Sequence, residues 1–169
     1  MNDEWFDVVN ERDEVVARAL RGEVHARGWW HRAIHVLVSD GAGRVFLQKR
    51  SMTKDLSPGL WDSSCSGHVD SGEDYDTAAT RELGEELGLP GEIALRRERW
   101  FRIEPCIATG WEFVWVYRLQ HGGPFVLHPE EIERGDWFAV DEVTRQIAER
   151  PAEYCPSFKL IWGLTGSKM

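Results

Sequence analysis

One helical edge constrains this chain more than any other feature. Tyr75 to Leu87 reads as a helix, with Asp74 or Asp76 available as its cap and Gly88 and Pro90 to stop it. Within it Glu82, Glu85 and Glu86 fall at i, i+3 and i+4. On a helix that spacing puts three carboxylates on one face, with Cβ atoms about 5–6 Å apart. Leu83 and Leu87, with Ala79, then form the face turned to a core. Three like charges so close repel by roughly 0.2–0.5 kcal/mol per pair in water. A hard cation reverses the sign of that interaction. Magnesium takes oxygen ligands from a few carboxylates and from substrate phosphates, so the edge reads as a metal platform. Taken alone, the three residues also fit a solvated acidic face.

The flanking residues decide between these readings. Gly67 is followed after five residues by Glu73, and Glu73 after seven by Arg81-Glu82-Leu83-Gly84-Glu85-Glu86-Leu87-Gly88-Leu89. This is similar to the complete box of the Nudix superfamily: Gly, five residues, Glu, seven residues, then Arg-Glu-apolar-x-Glu-Glu-x-Gly-apolar. Chance agreement at all the constrained positions is roughly below one in a million at average residue usage. The resemblance implies an α/β (α+β) fold, the Nudix α/β/α sandwich, in which a mixed sheet carries helices on both faces. It makes Glu82, Glu85 and Glu86 ligands of Mg²⁺ (Mn²⁺ is possible), joined by the carbonyl of Gly67. Glu73 and Arg81 would pair across the loop–helix junction as structural residues. Gly67 would permit a tight turn, Gly84 would let a neighbouring backbone come close, and Gly88 would end the helix.

The resemblance extends beyond the box. Trp30-His-Arg-Ala-Ile34, Gln48-Lys-Arg-Ser51, Thr53-Lys-Asp55, Pro58-Gly-Leu-Trp61 and Ser66-Gly-His68 look like the isopentenyl-diphosphate isomerase branch. Phe6-Asp-Val-Val-Asn10 resembles the start of its hydrolase relatives. By that likeness Arg50 and Lys54 clamp a substrate diphosphate, and Arg suits bidentate phosphate contact. His68 would touch substrate phosphate or metal. The isomerases also hold a metal through several His and two Glu. His31, His68 and Glu112 match that set and His25 approximates a third His, but Gly110 stands where the second Glu would be. The isomerase acid/base Cys is replaced by Ser66, while Cys65 would point the other way in a strand. Isomerisation needs a positioned acid and base, so hydrolysis is the expected reaction. The base is open among Glu85, Glu86 and Glu112, with Glu86 preferred to Glu112.

Composition narrows the setting. With 42% hydrophobic and 29% charged residues the chain is an ordinary globular one, and 169 residues suit a single domain. A formal charge of −9 argues against nucleic-acid binding and requires local cations or a metal wherever phosphate is handled. Three cysteines at unpatterned spacings suggest reduced thiols and a cytoplasmic setting. No apolar run is long enough for a membrane span, and residues 1–10 show no secretory leader. Nine tryptophans fit core packing or a stacking surface; Trp29, Trp30, Trp61, Trp100 and Trp111 are candidates to line a pocket.

The expected layout is an N-terminal hairpin extension, 1–30, on a hydrolase domain, 31–169. Strands are expected over Phe6–Asn10, Val15–Leu20, Ala33–Ser39, Arg44–Lys49, Arg96–Glu104, Trp111–Leu119 and Gly135–Val140, and helices over Asp141–Arg150 and Ser157–Leu164. His31 and His35 would share a strand face and pack structurally. Ser51–Ser66 reads as one long loop. The partner is a small-molecule diphosphate, a nucleoside-diphosphate derivative or a relative of one, and the protein is a monomer or homodimer. An isomerase and a non-catalytic nucleotide-binding module are the rival readings.

Overall fold

The computed structural model describes residues 3–165 and 168–169. β1 (Trp5–Val9) and β2 (Val15–Leu20) form an antiparallel hairpin. The Asn10 side chain closes its turn by accepting from the backbone N–H of Arg12 and Glu14 at 2.9 and 3.0 Å. β2 runs directly into α1 (Arg21–Arg27), which has no side-chain cap and ends at Gly28 in the left-handed region. The sequence reading missed α1 because it is only seven residues long and its N-cap, Leu20, carries no polar capping signal.

The body follows as β3 (His31–Ser39), β4 (Arg44–Arg50), β5 (Trp61–Asp62), β6 (Cys65–His68), α2 (Tyr75–Leu87), α3 (Gly91–Ala94), β7 (Glu98–Ile103), β8 (Glu112–Gln120), β9 (Ile132–Ala139), α4 (Val140–Glu149) and α5 (Pro156–Thr165). Two expectations need correction. The stretch Ser51–Ser66 is not one loop, since it contains β5 and the start of β6; both are too short to show a period. β9 begins three residues before Gly135, and Val140 belongs to α4, whose N-cap Ala139 makes no side-chain bond.

Seven strands make one mixed sheet in the order β5-β4-β3-β8-β7, with β6 also on β3 and β9 also on β4. β3 and β8 run parallel from His31 opposite Glu112 to Ser39 opposite Gln120; the other pairings are antiparallel. Alternation along β3 sorts its side chains between two cores. Ile34, Val36 and Val38 lie under α2 with Ala78, Ala79, Leu83 and Leu87. Ala33 and Leu37 face the other way, toward Val143, Phe158, Ile161 and Trp162 of α4 and α5. Helices therefore cover both faces, as the α/β/α reading requires. Among the described residues no helix is long and apolar enough to cross a membrane.

Candidate functional site

The site grows out of the register of β6. Cys65 lies opposite Val36 and Gly67 opposite Ile34, so both face α2. Ser66 lies opposite His35 and His68 opposite Ala33, so these two face the other way. Cys65 is buried in the core beneath α2, and burial raises its thiol pKa well above the ordinary range. Ser66 lines a cleft of about 610 Å³. The sequence argument that Cys65 points away from that position therefore holds.

Gly67 makes room for a carboxylate. A Cβ placed there would lie 2.2 Å from the Glu82 carboxyl group. Gly67 sits within β6 and not in a tight turn, so the expected reason for this glycine is corrected: the constraint is steric. Glu86 is anchored beside it, accepting from Gln48 Nε2 at 2.7 Å and from the Ser66 backbone N–H at 3.1 Å. Burial, the Glu86 charge and weaker repulsion from Glu85 raise the Glu82 pKa against the pull of Arg81. Burial likewise raises Glu86 despite its two donors. Glu85 shares the edge but its side chain is 57% exposed.

Arg81 organises this edge more extensively than expected. It forms the bidentate pair with Glu73 at 2.9 and 3.0 Å. It also donates to Glu82 at 2.7 Å, to Glu85 at 3.2 Å and to the His68 carbonyl at 3.0 Å. Gly84 is the second correction. It is exposed, and a Cβ there would meet only the Leu89 carbonyl at 3.7 Å, an ordinary contact.

The parallel register of β3 and β8 sets His31 beside Glu112, and α1 brings His25 to them. Donor atoms of His25, His31, His68 and Glu112 all lie within 4.8 Å of one another. Glu112 Oε1 is 2.9 Å from His68 Nε2 and 3.2 Å from His31 Nε2. The Trp29 carbonyl, an obligate acceptor, takes the Nδ1 proton of His31 at 2.9 Å. His31 Nε2, on the far side of the ring, is buried with no aligned hydrogen bond. His25 Nε2 is also buried without a partner. Burial, with His68 and His31 alongside, pushes His25 down to about 4, so it is a neutral imidazole at pH 7. Burial would raise the Glu112 carboxyl, but His68 and His31 outweigh it and hold it below the usual carboxylate range. Three imidazoles and one carboxylate with orphaned nitrogens fit a divalent transition metal. Gly110, at φ 70°, adds no ligand, as expected.

Arg50 and Lys54 reach the same cleft, each already paired. Arg50 donates to the Leu56 carbonyl at 3.0 Å and to Asp62 at 3.2 Å. Lys54 is paired with Glu131. Sequence reasoning missed Asp62, Gln48, Glu131 and His128. Asp62 is buried and meets Arg50, Ser66 and His35. His128 lines the cleft and ties its backbone N–H to the Glu86 carbonyl at 3.1 Å. Only Gln48 carried a signal, as a polar residue continuing the apolar run of β4. His35 is buried against Ser63 at 2.8 Å, in keeping with its packing role. Of the five candidate tryptophans, Trp111 alone lines the cleft.

Comparison with known proteins agrees with this architecture. The NUDIX domain model matches residues 29–158. An uncharacterised Nudix hydrolase of Yersinia pestis is 38% identical over 86% of this chain and 79% of its own length. The Nudix hydrolase YfcD of Escherichia coli K12 is 36% identical over the same shares. The crystal structure of DR0079 from Deinococcus radiodurans superposes with a TM-score of 0.76 at 31% identity, covering 87% of this chain and 90% of that one. With its box folded as one cross-braced edge of a cleft, the chain belongs to the Nudix hydrolase family.

Proposed function

We propose that this protein is a magnesium-dependent hydrolase of the isopentenyl-diphosphate isomerase-like branch, cutting a diphosphate bond in a nucleoside-diphosphate derivative or related small molecule. The observation that carries the reading is the pair of buried Glu86 and half-buried Glu82, packed over Gly67 and Ser66 in the cleft that Arg50 and Lys54 also line. Two neighbouring acids withdrawn from water, one raising the other's proton affinity, suit a divalent cation, Mg²⁺ or Mn²⁺. Glu82, Glu85, Glu86 and the Gly67 carbonyl would hold it. Once bound, the ion would polarise a phosphoryl oxygen and lower the pKa of a water.

The chain's own groups supply the rest. Arg50 and Lys54 neutralise the diphosphate by exchanging their present carboxylate partners for phosphate oxygens. His68 hydrogen-bonds the substrate from its place beside Glu112. Glu86 accepts the proton of the attacking water, because Gln48 and the Ser66 N–H fix its carboxylate while burial raises its proton affinity. Glu112 is a poor base, since its neighbours hold it ionised. Glu73 and Arg81 position the edge. Residues 1–30 and 31–169 act as one domain, the extension lending Arg21 and His25 to the cleft. Three free cysteines fit a reducing cytoplasm.

The His25, His31, His68 and Glu112 cluster favours a second reading, double-bond isomerisation of an isoprenoid diphosphate. Ser66 counts against it, since a hydroxyl is a far weaker acid than the thiol it replaces. The test is Glu86→Gln assayed with magnesium for phosphate or monophosphate release. Turnover should fall by about 10² or more while the fold persists. Unchanged turnover would move the chemistry to another residue. Double-bond migration without phosphate release would establish the isomerase, and nucleotide binding without turnover a non-catalytic module.

A further inference from the structure

The tryptophans of this chain are almost all committed. Trp5, Trp29, Trp61, Trp100, Trp115 and Trp137 each carry an arginine guanidinium over the ring, at 4.6 to 5.5 Å. Trp30 stands edge-on to Phe113, and Trp162 tilts against Phe158. Among the described residues, Trp111 is the tryptophan with neither an arginine nor an aromatic ring against it. It is also the one in the cleft, directly before Glu112.

Its backbone adds a second observation. Trp111 has φ 66°, in the left-handed region. A bulky residue there is an outlier, and the strain persists only where the surroundings impose it. The turn could have used a cheaper residue. The preceding position, also left-handed at φ 70°, is Gly110. The turn is held by its own bonds: Trp111 N–H to the Cys106 carbonyl at 2.9 Å and Thr109 Oγ1 to the same carbonyl at 3.0 Å. The indole leans on Gly28, with Cδ1 3.6 Å from where a Cβ would stand, and is still 39% exposed. A large side chain is thus retained, at a backbone cost, with surface left open on the cleft.

We propose that Trp111 is a stacking platform for the planar base of a nucleoside-diphosphate ligand. This rests on the hydrolase reading for the phosphate end and adds a recognition element for the other end. The apolar neighbours on the rim, Ile107 at 82% and Leu56 at 48% exposure, do not enclose a slot that would shield an alkyl chain. A flat base gains from a single flat face, so it is the group this rim recognises.

Equilibrium binding by calorimetry tests this on the full chain with magnesium, using a nucleoside diphosphate, inorganic pyrophosphate and a short alkyl diphosphate. Trp111→Ala should weaken nucleoside diphosphate binding about tenfold or more, the range of single base–aromatic stacks, and leave pyrophosphate binding unchanged. Trp111→Phe should restore most of the loss. Trp111→Gly should match the alanine variant in binding yet exceed it in Tm, because glycine accepts φ 66° without strain. Equal weakening of pyrophosphate would make Trp111 merely structural and overturn the proposal. So would unmoved nucleotide affinity, a wild type that binds no nucleotide, or a larger effect on the alkyl diphosphate. Base-dependent binding by a wild type that releases no phosphate would sink the hydrolase reading and leave the platform standing.

Discussion

At Gly67 the absent side chain is what makes room for the Glu82 carboxyl. The strand places that position toward α2, and the Glu82 carboxyl fills the space a Cβ would take, 2.2 Å away. The obstructed atoms are the far end of a flexible side chain, so Gly67→Ala should fold and push Glu82 off its seat. Magnesium affinity should then fall about 10- to 100-fold, as when supporting residues of metal sites are lost, with little change in the metal-free Tm. Calorimetric titration of the two proteins measures this; an unchanged Kd would remove Glu82 from the ligand set. At this scale the sequence named the acids by their spacing on one helix face, and Arg50, Lys54 and His68 by resemblance to the isomerase branch. It did not name Asp62 or Glu131, which hold Arg50 and Lys54 across the fold. Partners 12 and 77 residues away leave no local pattern.

Among the elements, α2 was legible to its ends. Asp74 caps it through the Thr77 N–H at 2.7 Å, and Gly88 closes it at φ 67°. Apolar periodicity and polar ends pointed to the same bounds. α1 and β6 were not legible, and they matter because α1 delivers His25 and β6 carries Gly67 and His68. Each is short, and tertiary contacts rather than local propensity define it. Gly84 within α2 and Gly88 just past its end make predictions of opposite sign. Gly84 is exposed mid-helix with room for a methyl group, so Gly84→Ala should stabilise by about 0.5–1 kcal/mol. That is roughly a 1–4 °C rise in Tm. Gly88→Ala should lower Tm, since a Cβ there would be strained at φ 67° and lie 2.8 Å from Val126 Cβ. Thermal melts of both decide it; equal shifts would contradict the end geometry of α2.

Over the whole molecule, the −9 charge raises a question that the cleft answers only in part. Arg21, Arg50, Lys54 and Arg81 are the cations lining it, and each is already paired with at least one carboxylate. The free protein therefore has little spare positive charge to draw in a diphosphate, and a divalent ion is the direct way to reverse the local field. That ties metal binding to protons. Glu82 and Glu86 have raised pKa values, so in the metal-free fold they keep protons above the ordinary carboxylate range. The unfolded chain ionises first as pH rises, so these two groups contribute less stability at neutral pH than at acid pH. Metal binds only the ionised forms and must release their protons. Magnesium affinity should therefore strengthen as pH rises from about 5.5 to about 8, and titrations in buffers of differing ionisation enthalpy should register proton release. Glu82→Gln removes one of the titrating acids and should lessen both effects, although its affinity is weaker throughout. A magnesium Kd independent of pH, with no protons released, would mean that the ion avoids the buried acids, and the metal platform on α2 would have to be abandoned.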